Sequence, residues 1–195
     1  MKILSGLALA ATLILGTPAM AGGHIIWKSV DNESQIAFGS IKSNETGEVH
    51  HFNKVSGVVK EKGEMALTIE LGSVETYIDI RNERMTEHVL KGDKPTATIT
   101  GTIDMEEVNG LKPGETKLLE IEAQLSFAGI DNDIDANMLV ARLSEDRVLV
   151  TTADFIMVST EDLGINSGID TLMKLAQLPS ITRVTPVSVR MVFEK

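Results

Sequence analysis

The side chains best suited to chemistry lie in one charged segment, Arg81 to Leu90, which carries Arg81, Arg84 and His88. Guanidinium and imidazole groups donate hydrogen bonds, so this segment could meet the polar head of a ligand at the mouth of a pocket. The alternative is a surface helix turn in which the same groups form ordinary ion pairs with neighbours such as Glu87. The sequence alone leaves both interpretations open.

Nucleophilic catalysis has little support in the sequence. The chain has no Cys and no Gly-x-Ser-x-Gly motif. Of its four His residues, His50 and His51 are adjacent, and adjacent side chains of a strand point to opposite faces. A Ser-His-Asp set can assemble from distant residues, although no motif indicates one. The sequence therefore favours a binding protein over an enzyme, and it predicts no cofactor.

One acidic stretch begins like a calcium-binding loop. Asp131, Asp133 and Asp135 have the spacing of the first three ligands of an EF-hand. However, Ala136 occupies the position that requires Gly, and Arg142 occupies the position of the final Glu. The EF-hand interpretation therefore fails, and we expect a solvated turn, with a weak incidental cation site as the alternative.

The first 21 residues have the pattern of a secretory signal peptide. A positive start at Lys2 precedes an apolar run from Ile3 to Gly16, and Ala19-Met20-Ala21 matches a small-x-small cleavage site. The apolar run is short for a membrane span, so no stable membrane anchor is expected after cleavage. The sequence predicts a periplasmic protein. Its net charge of −10 argues against nucleic acid as a partner.

Cleavage after Ala21 would create a new amino terminus that begins Gly22-Gly23-His24. The free amine, two backbone nitrogens and the imidazole could enclose Cu(II) or Ni(II) in a square plane. The alternative is a disordered tail. The sequence does not decide between them.

The candidate groups need a scaffold, and alternating apolar residues predict one. Met65, Leu67 and Ile69 have the period of a half-buried strand, and the β-rich run Thr96 to Ile103 returns after the charged segment. Similar runs separated by tight turns occur along residues 22–195, which we expect to form a single domain of eight or nine antiparallel strands, arranged as a barrel or a sandwich. These further runs are Ser34 to Phe38, Phe52 to Lys60, Leu119 to Phe127, Met138 to Leu143, Arg147 to Val158 and Val187 to Phe193.

Two segments interrupt the strand pattern. Gly129 to Asn137 is predicted to be an acidic turn. Asp170 to Pro179 has helical spacing, with Asp170 able to cap the helix start and Pro179 just beyond its end.

The order of several short motifs resembles the YceI-like family over essentially all of residues 22–195. Asn82 stands where that family usually has Asp, and Asp131 to Asp135 replaces a loop that is often neutral or basic. The motifs are Trp27-x-x-x-Asp31-x-x-Ser34-x-Ile36-x-Phe38, Ser73-Val74-Glu75-Thr76 followed by Arg81-Asn82 and His88-x-Leu90, Pro95-x-Ala97-x-Ile99, and Leu125-Ser126-Phe127-Ala128-Gly129.

The resemblance implies a mainly β fold, an extended lipocalin-like eight-stranded antiparallel barrel with one or two short helices. It also implies that an apolar tunnel holds an isoprenoid or another long-chain lipid, and it implies no catalytic activity. An eight-stranded barrel is just wide enough for one small ligand or for a filled core. The candidate inward residues are Phe38, Phe52, Met65, Leu67, Ile69, Ile99, Leu125, Phe127, Val189 and Met191, with Arg81 and His88 at the mouth.

Two alternatives to the lipid-carrier interpretation concern function. The protein could be an accessory enzyme that acts on such a lipid, with Arg81 and His88 near the reacting head. It could instead be a structural or stress-related domain whose barrel is filled by side chains. The sequence also leaves a homodimer open.

Overall fold

The computed structural model describes residues 24–90 and 96–195, and most of them lie in strands. The predicted signal peptide, Gly22, Gly23 and Pro95 lie outside the described residues. In chain order the strands are β1 (Ile25–Ser29), β2 (Gln35–Lys42), β3 (Thr46–Phe52), β4 (Val55–Lys60), β5 (Glu64–Glu70), β6 (Val74–Glu75), β7 (Thr96–Thr102), β8 (Thr116–Phe127), β9 (Ile130–Ser144), β10 (Arg147–Thr152), β11 (Ile156–Ser159) and β12 (Val184–Glu194).

Eight of these strands close into an antiparallel barrel. Their order is β1-β4-β5-β7-β8-β9-β10-β12, and β12 pairs back with β1 through Lys28↔Glu194 and Ser29↔Phe193. Closure pairs the edges that an open sheet would expose. The predicted mainly β, lipocalin-like, eight-stranded antiparallel barrel is therefore confirmed.

The barrel is extended at one end because β12 has two partners on each side. The part of β12 near its end pairs with β1 and β10, and the part near its start pairs with β2 and β11. The β2–β3 hairpin continues the wall, with Ile36 opposite Phe52 and Lys42 opposite Thr46. β3 also pairs with the short strand β6, which leads into the first helix.

Three short helices lie among the described residues, where the sequence predicted one or two. They are α1 (Asp79–His88), α2 (Met105–Asn109) and α3 (Asn166–Ala176). None of them combines the length and the apolar character that crossing a bilayer requires. α1 packs against α3, and both lie over the extended end of the barrel.

The alternating apolar pattern correctly predicted the inward face of the central strands. Met65, Leu67 and Ile69 of β5 are all buried, while the residues between them are half-buried. On β8, Leu125 and Phe127 are buried as well. Period-two alternation identifies the core face because successive side chains of a strand point to opposite sides of the sheet.

The predicted acidic turn over Gly129 to Asn137 is wrong. The reversal needs only Ala128 and Gly129, which have φ angles of 51° and 86°, and β9 begins directly at Ile130. Asp131, Asp133 and Asp135 are exposed on the outer face of that strand. The acidic composition suggested a turn, but the period-two pattern continues through it, with hydrated carboxylates outside and apolar residues inside.

α3 is predicted correctly in kind, but it begins at Asn166, four residues before the expected cap at Asp170. Asp170 instead forms an ion pair with Arg183. The added first turn of α3 contains Gly168, which lies against the end of α1. A Cβ at this position would be 2.3 Å from the carbonyl oxygen of His88. Only glycine allows the two helices to approach so closely.

Candidate ligand-binding cavity

The interior of the barrel contains two cavities. The first has a volume of about 450 Å³ and lies at the extended end, under α1 and α3. The second has a volume of about 100 Å³ and is lined by the closed ring of strands and by α2. A volume of several hundred Å³ is typical of small-molecule sites. The described residues therefore do not form the filled core that the sequence left open.

Four residues line both cavities, and they therefore form the partition between them. Ile99 comes from β7, Ile134 from β9, Ile156 from β11 and Val189 from β12. We call these four residues the neck. The neck divides a larger compartment with polar and apolar walls from a smaller one whose lining side chains are apolar apart from the indole nitrogen of Trp27.

Eleven of the twelve residues predicted to bind ligand line a cavity. The exception is His88, which lies at the end of α1 beside α3 and lines neither cavity. The first cavity contains Phe38, Phe52, Ile69, Arg81, Ile99, Leu125, Phe127 and Val189, and the second contains Met65, Leu67, Ile99, Val189 and Met191. Their role in binding a ligand stays a prediction.

Sequence reasoning missed cavity residues on two strands and on two helices. Ile134 was hidden in the predicted acidic turn, although its alternation with the flanking Asp residues was a usable signal. His50 also lines the first cavity. Its position two residues from Phe52 on the same strand was a usable signal, because such residues point to the same face. Residues that α1 and α3 contribute, such as Leu172, could not be found by strand periodicity because helices have a different period.

The inner face of the β2–β3 hairpin changes from apolar to charged along its length. Near the neck the paired residues are apolar, then aromatic beside neutral polar, and finally charged at the hairpin tip. From the neck to the tip, the opposed pairs are Ile36↔Phe52, Phe38↔His50, Ser40↔Glu48 and Lys42↔Thr46. All of these residues except Thr46 line the first cavity. The first cavity thus has an apolar inner part and a polar outer part.

The polar part of the cavity holds three cationic side chains and one carboxylate. Glu48 accepts hydrogen bonds from Arg81 at 2.8 Å and from Lys42 at 2.9 Å. Burial alone would raise the pKa of Glu48, but the bonds from Arg81 and Lys42 outweigh it and lower the pKa below its usual value. Arg84 also lines the cavity and has no ion-pair partner among the described residues. This end is locally positive in an acidic protein.

His50 contributes a neutral imidazole to the same wall. The ring is 3 % exposed, and its Nε2 lies 3.1 Å from the hydroxyl oxygen of Ser40. Burial, together with the charge of Arg81, lowers the pKa of His50 to about 4. At neutral pH the Ser40–His50 pair therefore contributes hydrogen-bonding groups without a charge.

The comparison with protein families decides what kind of protein this is. The model of the YceI-like domain matches residues 27–191. The chain belongs to the YceI-like family. A solved polyisoprenoid binding domain from Saccharophagus degradans, implicated in plant cell wall breakdown, is 32% identical, with a TM-score of 0.85 over 88% of this chain and 99% of that one.

Burkholderia cenocepacia BcnA shows the same fold at much lower sequence similarity. It is 13% identical, with a TM-score of 0.64, and the match covers 84% of this chain and 98% of that one. At this identity the likeness concerns the fold alone. No curated protein sequence gave a significant match.

The central YceI-like motif ties α1 to the barrel wall. Asn82 accepts hydrogen bonds from the backbone NH of Thr76 at 2.8 Å and from its hydroxyl at 2.6 Å, and it donates to Glu75 at 3.0 Å. The adjacent Arg81 donates to the carbonyl oxygen of Thr76 at 2.6 Å. These bonds hold Arg81 over the polar part of the first cavity. We call Glu75, Thr76 and Asn82 the α1 tether.

Proposed function

We propose that this protein is a non-enzymatic periplasmic carrier of an isoprenoid or a similar amphiphilic lipid. The apolar tail lies in the first cavity, and the polar head lies at the tip of the β2–β3 hairpin. The observation that carries the proposal is the change from apolar to charged side chains along the inner face of this hairpin, because an amphiphile has the same polarity gradient.

Tail burial alone supplies enough free energy for binding. Each buried methylene contributes about 0.8 kcal/mol, so about ten methylenes contribute roughly 8 kcal/mol before the costs of association and ordering. The 32% identity to a domain named for polyisoprenoid binding supports this class of tail. Met85 lines the first cavity and adds a flexible, polarisable side chain that adapts to an irregular tail.

The positive outer end of the cavity selects the orientation of the ligand. Lys42, Arg81 and Arg84 oppose a single carboxylate, Glu48, so oxygen atoms of a head group find donors there. The inner part offers no comparable partner for a head. The tail therefore enters first, and the head remains beside α1.

The proposed compartment rests on the sequence. Residues 1–21 have the features of a signal peptide, and the chain has no Cys. Cleavage after Ala21 leaves a protein that begins at Gly22. Amino-terminal sequencing of the protein from a periplasmic extract tests this part of the proposal, and a retained Met1 would contradict it.

The enzyme alternative has less support. It requires Arg81 and His88 to act together on a reacting head, but only Arg81 lines a cavity. Native mass spectrometry followed by organic extraction separates the two functions. A carrier releases an unchanged lipid of defined mass on extraction. An enzyme that is incubated with this lipid would convert it to a product of different mass.

Two substitutions on one strand make the binding test specific. Val158 of β11 lines the first cavity, while the preceding Met157 is 61% exposed on the opposite face. We expect Val158→Trp to reduce the amount of co-purified lipid at least tenfold and Met157→Trp to leave it unchanged. Equal lipid content in both variants, with both folded, would contradict the proposed cavity.

A further inference from the structure

We infer that the neck formed by Ile99, Ile134, Ile156 and Val189 sets the maximum tail length that the protein binds. This inference rests on the proposed function and goes beyond it, because it assigns chain-length selection to particular residues. The neck is the only set of described residues that lines both cavities, so a tail that entered from the polar end would have to pass between these side chains to reach the second cavity.

Little space lies on the far side of the neck. The second cavity has only about 100 Å³ and is bounded by Trp27, by the aromatic ring of Phe193 and by Met105 and Val108 from α2. A tail that ends at the neck therefore uses the first cavity alone. A longer tail has to displace neck side chains or leave its polar head outside the cationic end.

The four neck residues differ in how much substitution they tolerate. Val189 is 6% exposed and belongs to the buried core, whereas Ile99, Ile134 and Ile156 are half-buried. Truncation of a half-buried side chain costs less stability than truncation in the core, since fewer contacts are lost. Ile134 and Ile156 are thus the best positions at which to open the neck.

If the neck limits the tail, the affinity for a series of ligands should rise with tail length and then stop rising. We call the tail length at which the affinity stops rising the break. While the tail is shorter than the first cavity, each added methylene raises the affinity about fourfold, which is the 0.8 kcal/mol of methylene burial expressed as a ratio. Once the tail reaches the neck, further methylenes stay in water and the affinity stops rising. The position of this break measures the distance from the polar end to the neck.

The experiment titrates the purified protein with prenyl alcohols of increasing length, beginning with geraniol, farnesol and geranylgeraniol, by competition with an apolar fluorescent probe. We expect Ile134→Ala to move the break by at least one isoprene unit towards longer tails. Ile156→Ala tests the same neck from another strand if the first variant does not fold. Ile41→Ala is the matched control, because Ile41 is an exposed residue of β2 that lines neither cavity.

A second substitution tests whether the gained length occupies the second cavity. Ala136 lines that cavity but not the first, so Ala136→Leu should leave the break of the parent protein in place. Combined with Ile134→Ala, it should return the break to the parent length. A break that stays fixed in folded Ile134→Ala and Ile156→Ala would overturn the inference.

The outcomes also separate this inference from the proposed function. If the parent protein binds none of the prenyl alcohols, the carrier proposal itself is contradicted. If it binds them with an affinity that rises through the whole series without a break, lipid binding stands and only the role of the neck is overturned.

Discussion

The guanidinium carbon of Arg142 lies 5.2 Å from the centre of the Trp27 ring, at the closed end of the barrel. Arg142 is 4% exposed, and its Nη2 donates a 2.9 Å hydrogen bond to the carbonyl oxygen of Val108 in α2. Lys195 approaches the same ring at 4.8 Å. A buried charge beside an aromatic face is stabilised by the ring quadrupole. This contact joins β1, β9 and α2 under the second cavity.

We expect Arg142→Ala to lower the free energy of unfolding by about 2–4 kcal/mol, because it removes a buried side chain, its cation–π contact and its hydrogen bond to the Val108 carbonyl oxygen. Urea unfolding followed by Trp27 fluorescence and circular dichroism measures the change. Arg190→Ala is the matched control, since Arg190 is exposed and should change stability by less than about 0.5 kcal/mol. Equal midpoints for the two variants would contradict the stabilising role of Arg142.

The buried His50 predicts a pH dependence of stability. Its pKa is about 4 in the folded protein, because of burial and the charge of Arg81, against an ordinary value of 6.5. The unfolded chain therefore binds a proton between pH 6.5 and 4 that the folded chain rejects, and stability falls as the pH falls through this range. The contribution is fully present above pH 6.5.

His50→Gln keeps a polar side chain beside Ser40 but removes the titration. We expect stability to fall less steeply between pH 6.5 and 4 in this variant than in the parent protein. Thermal unfolding at several pH values measures both slopes, and the values above pH 7 give the cost of the substitution alone. Parallel slopes would show that His50 does not titrate as expected.

The hydrogen bonds of the α1 tether require an amide at position 82. The Asn82 amide donates to Glu75 and accepts from Thr76, whereas an ionised Asp only accepts and would face the Glu75 carboxylate. We expect Asn82→Asp to lower the melting temperature by about 2–4 °C. Asn82→Asp combined with Glu75→Gln should recover part of the loss, because the introduced amide supplies the missing donor. No recovery in the double variant would contradict this explanation.

Arg84 has no ion-pair partner in the described part of the chain. We therefore expect the protein to prefer a phosphate head group over a hydroxyl head group. Its guanidinium lines the polar part of the first cavity, so it is available to a phosphate oxygen. We expect Arg84→Ala to weaken binding of a prenyl phosphate about three- to tenfold, a modest effect because Arg84 is only half-buried. The prenyl alcohol of the same length should change less than about twofold. A titration with both ligands measures the ratio, and Arg190→Ala is again the control.

The sequence predicted much of the fold but less of the cavity. Alternation on β5 and β8 identified Met65, Leu67 and Leu125 as inward residues, because a barrel strand has one buried face and the period is local. The pairing of β12 with β1 and β2 at once is not local, so strand alternation did not indicate the extended end, which only the resemblance to the YceI-like family implied. His88 seemed suited to a ligand by type, but the tertiary contact at Gly168 places its end of α1 against α3.

β12 is the last strand of the chain, and four other strands pair with it. A chain is synthesised from its amino terminus, so β1 and β2 wait for their partner until β12 has been made. Contacts between the two ends of a chain form slowly, and the unpaired apolar strands are prone to aggregate meanwhile. The cavities are complete only once Val184–Glu194 has docked. A ligand can therefore be held in the first cavity only after β12 has joined the sheet.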